Sequence, residues 1–514
     1  MHRRRFLEST LGGAAAGSLA AAPLTFAAAS AVQGEGRRDP FPDYERFDAR
    51  GLAELVRAGE ISALELIEAA AFRLEARNGA LNAVVFDWLD RAREMAEQMR
   101  PAGPFAGLPF LLKNLGTAMA DTPLTMGSRL FAGHRAQADS ETVKRFMQAG
   151  LVPFGRGNAP EFGISATTEP LFHGPSRNPW DLERTPGGSS GGAAAAVAAG
   201  ILPMAFASDG GGSARIPASC CGLVSMKPTR GRSPTSLGAA LGQELVVARS
   251  VRDVAAALDV VSPPAPGAPF AAPPPETPFA AAAGERPERL TIAVSRRSPF
   301  GGRPLHPDCI AAVEQAAALC ERLGHRVVEA APDYDFSALA EAMFKGIMAT
   351  GVAGTVAARE AALGRPARED ELEPYTRAMV EHGRSLTATD YAAALDGIDG
   401  FARRFAGFFD AHDVYLTPTL GRPPLPLGEL IGSIGDADAY LDILNGFMPF
   451  TMQYNAAGLP AMSLPLFWSE AGLPIGVQAG AAYGADARLL RLAAELEEAA
   501  PWFDRRPPMA DPVR

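Results

Sequence analysis

Strand-like and helix-like stretches alternate along this chain, and no other feature narrows its fold so far. SALELIEAAAFRLEARNG opens with a capping box, Ser62 with Glu65, and carries leucine and isoleucine at helical spacing, so it predicts a helix that stops at Asn78-Gly79. LNAVVF follows as a strand and DWLDRAREMAEQMR as a second helix. Further on, RLTIAVS, a helix from Pro307 to Leu323 closed by Gly324, and HRVVEA repeat strand, helix, strand. Such alternation implies an α/β fold in which helices cover both faces of a sheet. The length of 514 residues would suit two or three domains, but large α/β enzymes can keep one continuous sheet. Residues 262–288, SPPAPGAPFAAPPPETPFAAAAGERPE, are a low-complexity run that cannot hold a ladder and are expected to form an exposed connector. No internal repeat marks a solenoid.

Residues 1–31, MHRRRFLESTLGGAAAGSLAAAPLTFAAASA, place a basic cluster, Arg3 to Arg5, before an apolar stretch and then small residues suited to cleavage near Ala31. That order reads as an export signal, too short and glycine-rich to span a membrane. Two arginines followed by Phe6 and Leu7 resemble a twin-arginine signal, which implies a folded protein delivered to the periplasm or beyond. No later stretch is apolar for long enough to expect stable membrane insertion. The formal charge is −10, and because the leader carries three Arg against one Glu, the remainder is more acidic, about −12. A surface of that sign repels nucleic acid. Four cysteines are too few for a disulfide scaffold, and adjacent Cys220 and Cys221 read as small buried residues.

TPGGSSGGAAAAVAAG, residues 185–200, sets two serines between glycine pairs ahead of an alanine-rich helix. Its G-x-S-x-G matches call for a strand in front, as in a nucleophile elbow, but NPWDLERTP precedes them and is turn chemistry. A phosphate loop would continue with Gly-Lys-Ser/Thr, which is absent. A serine needs a base. The chain then runs ILPMAFASDGGGSARIP, an apolar strand from Ile201 followed by Asp209, three glycines and Ser213; glycines ahead of a serine let backbone N–H groups converge as an oxyanion requires. Upstream, GLPFLLKNL ends an apolar run on Lys113. In solution about one lysine in 2,500 is neutral at pH 7, whereas lowering its pKa by about 3 units, an effect of about 4 kcal/mol, leaves half of them able to accept a proton. His134, His173, His306, His325, His382 and His412 show no metal-ligand spacing such as H-E-x-x-H, so no metal or organic cofactor is expected.

Taken together, Lys113, the GGSS at Gly187 to Ser190 and the DGGGS at Asp209 to Ser213 resemble the amidase signature family. The likeness continues through NAPEFG at Asn158, NPWDL at Asn178, MKPTRG from Met226, RSVRDVAAALD from Arg249, DVYLTPT at Asp413, YNAAGLPAMSLPL from Tyr454 and LPIGVQ at Leu473. It implies the amidase signature fold, a large mixed β-sheet core with helices on both faces, as a single domain over residues 32–514. It also implies a Ser-cisSer-Lys triad: Ser213 as acyl nucleophile, Ser189 as the bridging serine in a cis peptide, and Lys113 as the base. Backbone N–H groups of Gly210, Gly211, Gly212 and Ser213 would receive the oxyanion, with Ser190, Asp209 and Arg215 in support. Ser189 and Ser213 are 24 residues apart, room for one loop, one helix and one strand to bring the chain back to the same end of a sheet. The chain departs from many relatives in having Gly210 where they carry a bulky apolar residue and Asn114 where they carry Asp. Small residues there, with TTEP at Thr167 and IPASCCG at Ile216, are similar to the 6-aminohexanoate cyclic dimer hydrolases of the family.

The implied reaction is hydrolysis of a carboxamide C–N bond, linear or cyclic, in a small-molecule substrate, through an acyl-enzyme. Esterase, aryl acylamidase or urethanase activity on the same triad is one alternative, and a catalytically inactive amidase-like binding protein another. A histidine-dependent serine hydrolase is a mechanistic rival. A glutamine-dependent transamidation subunit would need cytoplasmic partners, against which the export signal speaks. Pocket walls are expected from residues 334–450, and the sequence is compatible with a homodimer.

Overall fold

A computed structural model describes residues 38–234, 241–300, 303–432 and 437–510; the leader over residues 1–31 lies outside the described residues. In chain order the strands are β1 (Val84–Asp87), β2 (Leu108–Lys113), β3 (Leu151–Gly157), β4 (Met204–Asp209), β5 (Val224–Lys227), β6 (Gln243–Ala248), β7 (Thr291–Val294), β8 (Arg326–Glu329), β9 (Val414–Pro418), β10 (Ala461–Trp468) and β11 (Pro474–Ala481). Eight of them form a mixed sheet in the order β4-β6-β5-β10-β11-β9-β7-β8, and three form a second sheet in the order β1-β3-β2. The edge strand β2 lies alongside the edge strand β4 of the large sheet.

Helices used below are α1 (Ala63–Leu81), α2 (Glu141–Gln148), α3 (Gly191–Ala198), α4 (Arg215–Cys221), α5 (Val251–Val261), α6 (Pro307–Arg322), α7 (Ala388–Gly407), α8 (Met452–Ala457) and α9 (Asp486–Ala499). The strand, helix, strand read around Pro307 is β7, α6 and β8, and its two strands pair in parallel as a helical crossover requires. Antiparallel pairing runs from β4 to β9. Period-two alternation along each strand sorts side chains between two cores. Met204, Phe206, Met226, Ile292, Leu416 and Met462 join α5, α6 and α9 on one face; Ala205, Ala207, Ala293, Tyr415 and Ala461 join α3, α4, α7 and α8 on the other. The expected sheet covered on both faces is therefore what forms.

Local readings hold with three adjustments. α1 begins at its Ser62–Glu65 capping box but runs past Asn78-Gly79 to Leu81. The Asn78 side chain reaches beyond the helix end, accepting from the N–H groups of Ala83 and Val84 and donating to Val84 O, and Asn82 takes the left-handed closing position. β4 starts at Met204, after a turn, and not at Ile201. Within 262–288, no ladder forms, but Phe279–Ala282 is a short helix whose Phe279 is buried; Asp259 accepts from the N–H groups of Phe279 and Ala280. Cys220, Cys221, Cys309 and Cys320 are buried free thiols. No helix among the described residues is long and apolar enough to cross a membrane.

Candidate active site

β2 carries Lys113 into the seam between the two sheets. Every residue of LPFLLK is buried, because β3 pairs with one edge of the strand and β4 closes the other. Lys113 is 1% exposed, so the apolar run buries its lysine instead of letting it snorkel. Its Nζ donates to Ser189 Oγ at 2.7 Å and to Ser208 Oγ at 3.0 Å. Burial holds the ammonium down to about 7, against the opposing pull of Asp209 and Glu244. The main chain here is fixed as well: Lys113 O accepts from Arg156 Nη1 at 2.8 Å and from Thr117 Oγ1 at 3.0 Å.

The GGSSGG loop brings the second group. The peptide bond between Gly188 and Ser189 is cis, and Ser189 is buried against the Lys113 amine. Ser190 precedes α3, whose alanines and Val197 are all buried, and it ties the loop to its surroundings. Its N–H donates to Ser213 O at 3.1 Å, and its Oγ accepts from Ser208 N and donates to Ser208 O, both at 3.3 Å.

At the end of β4, Asp209 organises the DGGGS turn. One carboxylate oxygen accepts from Gly212 N at 2.8 Å and the other from the N–H groups of Ala214 and Arg215 at 3.3 Å. Arg215 closes a bidentate pair with it, at 2.9 and 2.8 Å, and uses its other donors on Gln478 Oε1 and Asn455 Oδ1, both at 2.8 Å. Asn455 Nδ2 completes the ring on Asp209 O, Asp209 Oδ1 and Leu241 O. Burial alone would raise the Asp209 carboxyl, but Arg215, Asn455 and Lys227 outweigh it and hold it well below the usual carboxylate range. A buried ion pair survives only when its remaining valences are met in this way.

Ser213 sits half-buried just ahead of α4. Gly212, at φ +130, leaves no room for a side chain, since a Cβ there would stand 2.5 Å from Thr451 Oγ1, the hydroxyl that donates to Gly211 O at 2.7 Å. Gly210 and Gly211 are the opposite: a Cβ on either would meet no atom within 4 Å. The turn is thus held from behind and open in front. One adjustment concerns the expected oxyanion donors, because the Gly212 N–H donates to Asp209 in this structure.

Lys113, Ser189, Ser190, Asp209, Gly210 to Ser213 and Arg215 therefore meet at one end of the large sheet. Ser208, Asn455, Gln478, Thr451 and Arg156 belong to the same constellation, and no motif in the sequence assigns them to it. Ser208 had a readable signal, standing one residue before Asp209; the others are ordinary letters far away in the chain. Five of the histidines have partners other than Ser189 and Ser213. His173 Nε2 faces Thr125 Oγ1 at 2.9 Å and Asn114 Nδ2 at 3.4 Å, and burial lowers it to about 4. His306 caps α6, His325 meets Glu495, His412 stacks on Phe408 and His134 packs edge-on against Phe131.

The chain is similar to known proteins over most of its length. The Amidase family model matches residues 65–490. The chain is 41% identical over 485 residues to 6-aminohexanoate-cyclic-dimer hydrolase of Paenarthrobacter ureafaciens, covering 91% of this chain and 97% of that protein. The solved structure of 6-aminohexanoate cyclic dimer hydrolase complexed with substrate superposes with a TM-score of 0.87 at 39% identity, covering 91% of this chain and all of that one. A bacterial aryl acylamidase of the amidase signature family superposes at 0.78 with 27% identity, over 89% of this chain and 96% of that one.

Proposed function

This chain belongs to the amidase signature family and is a hydrolase of amide bonds, and from that premise we propose that it works through a Ser213 acyl-enzyme with Ser189 and Lys113 as its proton relay. Ser213 Oγ attacks the carbonyl carbon and gives its proton to Ser189, which passes its own to the neutral amine of Lys113. The observation that carries this reading is the 2.7 Å contact from Lys113 Nζ to Ser189 Oγ, made by an amine that burial holds at about 7. An amine with that proton affinity is free at neutral pH to accept a proton and able to return it. The negative oxygen of the tetrahedral intermediate falls to the N–H groups of Gly210, Gly211 and Ser213, Gly212 being held by Asp209. Collapse expels the amine, which takes back the proton through Ser189; water then enters by the same route and frees the carboxylate and Ser213.

The substrate is a small carboxamide, linear or cyclic. Open space in front of Gly210 and Gly211 supports an acyl group with bulk close to the carbonyl, and the likeness to a cyclic dimer hydrolase supports a cyclic amide. Esters and aryl amides meet the same machinery and serve as comparison substrates. The leader with Arg3 to Arg5 supports export of the folded enzyme. Labelling with a fluorophosphonate, followed by mass spectrometry of the modified peptide, tests the assignment: Ser213 is the expected site. Modification confined to Ser189 or Ser190 would mean that the roles are reversed. A panel of linear, cyclic and aryl amides with matched esters then fixes the substrate class.

A further inference from the structure

Glu244 is an acid that the reaction above does not use, yet it stands behind the base. It is the second residue of β6 and lies directly opposite Ser208 in the antiparallel β4–β6 register. Directly opposed residues share one face of a sheet, with Cβ atoms about 5 Å apart. Ser208 is one of the two hydroxyls on Lys113 Nζ. Glu244 is half-buried, and both its main chain and its carboxyl are held. Its N–H donates to Ser233 Oγ at 2.8 Å, and its Oε2 accepts the hydroxyl of buried Thr142, from the first turn of α2. Its Oε1 faces the loop that leaves Lys113, 4.0 Å from where a Cβ on Gly116 would stand.

The charges around it single out one partner. On β4, Asp209 is committed to Arg215. On α2, Glu141 and Arg145 pair with each other at 2.9 Å, Arg145 continues to the carbonyls of Val261 and Pro263, and Lys144 is exposed. The cation that acts on Glu244 is Lys113, and Glu244 acts on Lys113 in return. Burial is the larger influence on both, raising the carboxyl to about 7 and lowering the ammonium to about 7. Both groups change charge in the same pH range.

We propose that Glu244 is a positioning residue for the base: its carboxyl, fixed behind Lys113 by Thr142 and by the β4–β6 register, sets how readily Lys113 accepts and returns the proton relayed by Ser189. The inference rests on Lys113 being the base. A negative Glu244 favours the ammonium; a neutral one releases the amine.

The test is the pH dependence of fluorophosphonate labelling of Ser213, which needs no identified substrate. In Glu244→Gln the acid limb moves down by about one pH unit, because the partner that favours the ammonium is gone. Thr142→Val, which removes the hydroxyl that stabilises the carboxylate, moves it the same way by less. Glu244→Asp keeps most of the wild-type midpoint. A merely structural glutamate would change amplitude or thermal stability and leave the midpoint in place. An unmoved or upward-moving midpoint in folded Glu244→Gln overturns the inference, and if that variant does not fold, an unmoved midpoint in Thr142→Val does so. Failure of the underlying reading looks different, since Lys113→Met would then label Ser213 with the wild-type pH profile whatever Glu244 does.

Discussion

Replacing Lys113 by Met is expected to abolish turnover and yet stabilise the fold near neutral pH. An ammonium that titrates near 10.5 in water is held down to about 7 here, with burial as the main cause. Between those two values the unfolded chain binds the proton and the folded chain does not, so stability rises with pH across that window, by up to about 1.4 kcal/mol per pH unit. The penalty is fully present below pH 7, on the order of 5 kcal/mol, and vanishes above 10.5. At pH 7 about 4 kcal/mol remains, and losing the hydrogen bonds to Ser189 and Ser208 takes back about 1 kcal/mol each. Met matches the length of the lysine stem and suits the apolar strand, so the variant should gain roughly 2 kcal/mol at pH 7 and almost nothing at pH 9. Urea unfolding of both proteins from pH 6 to 9 measures the difference. The kinetic counterpart is fluorophosphonate labelling of wild-type Ser213, which should rise about tenfold from pH 6 to 8 and then level off, where an ordinary lysine would give about a hundredfold rise with no plateau. A Met variant less stable than wild type at pH 7, a difference that ignores pH, or labelling that keeps climbing past pH 9 would refute the reasoning.

Ser189→Ala should slow turnover by about 10² to 10⁴ without preventing labelling of Ser213, and should cost an amide more than an activated ester, whose leaving group does not need the returned proton. Asn455→Leu leaves a buried Asp209 carbonyl and an Arg215 donor unpaired, and should lose about 3 kcal/mol in urea unfolding as well as activity. Gly210→Ile fills the open space beside Ser213, so kcat/KM for a cyclic amide should fall about tenfold more than for a short linear one. Changing Arg3, Arg4 and Arg5 together to Lys should leave active enzyme in the cytoplasm, measured by fractionation; unchanged export would count against a twin-arginine route.

The parts of the site that can be read from the chain are those whose cause is local. Glycines spell out both serine loops, and an apolar run ending in a single lysine announces a strand that arrives at a polar task. Asn455 and Gln478 are different: they reach Arg215 across 240 and 263 residues, and nothing near YNAAG or GVQAG shows it. Only the placement of β11 between β10 and β9, with α8 leading into β10, brings them under the DGGGS turn. Asn78 shows the converse limit. Asn-Gly is a good stop signal by composition, but the Asn78 side chain finds better acceptors and donors beyond Leu81, and tertiary geometry overrides the local preference. In residues 262–288 the prolines do exclude a ladder, while Phe279 still finds a buried place, under the guanidinium of Arg232.

The position of Lys113 has a structural reason that no single motif contains. Both serines belong to loops at the end of the large sheet, one before α3 and one after β4, but the lysine arrives on β2, a strand of the other sheet. β2 and β4 are both edge strands, and an edge strand ordinarily presents its unpaired face to water and carries lysine as a charged guard. Here each edge covers the other, the amine is dried by the contact, and two serine hydroxyls replace its water. The proton affinity of the proposed base is therefore a property of the seam between two sheets. A substitution that loosens the seam, such as Phe146→Leu between Phe110 of β2 and Phe206 of β4, should let water back to Lys113 and raise its proton affinity, moving the acid limb of Ser213 labelling to higher pH, the opposite of the shift expected from Thr142→Val through Glu244.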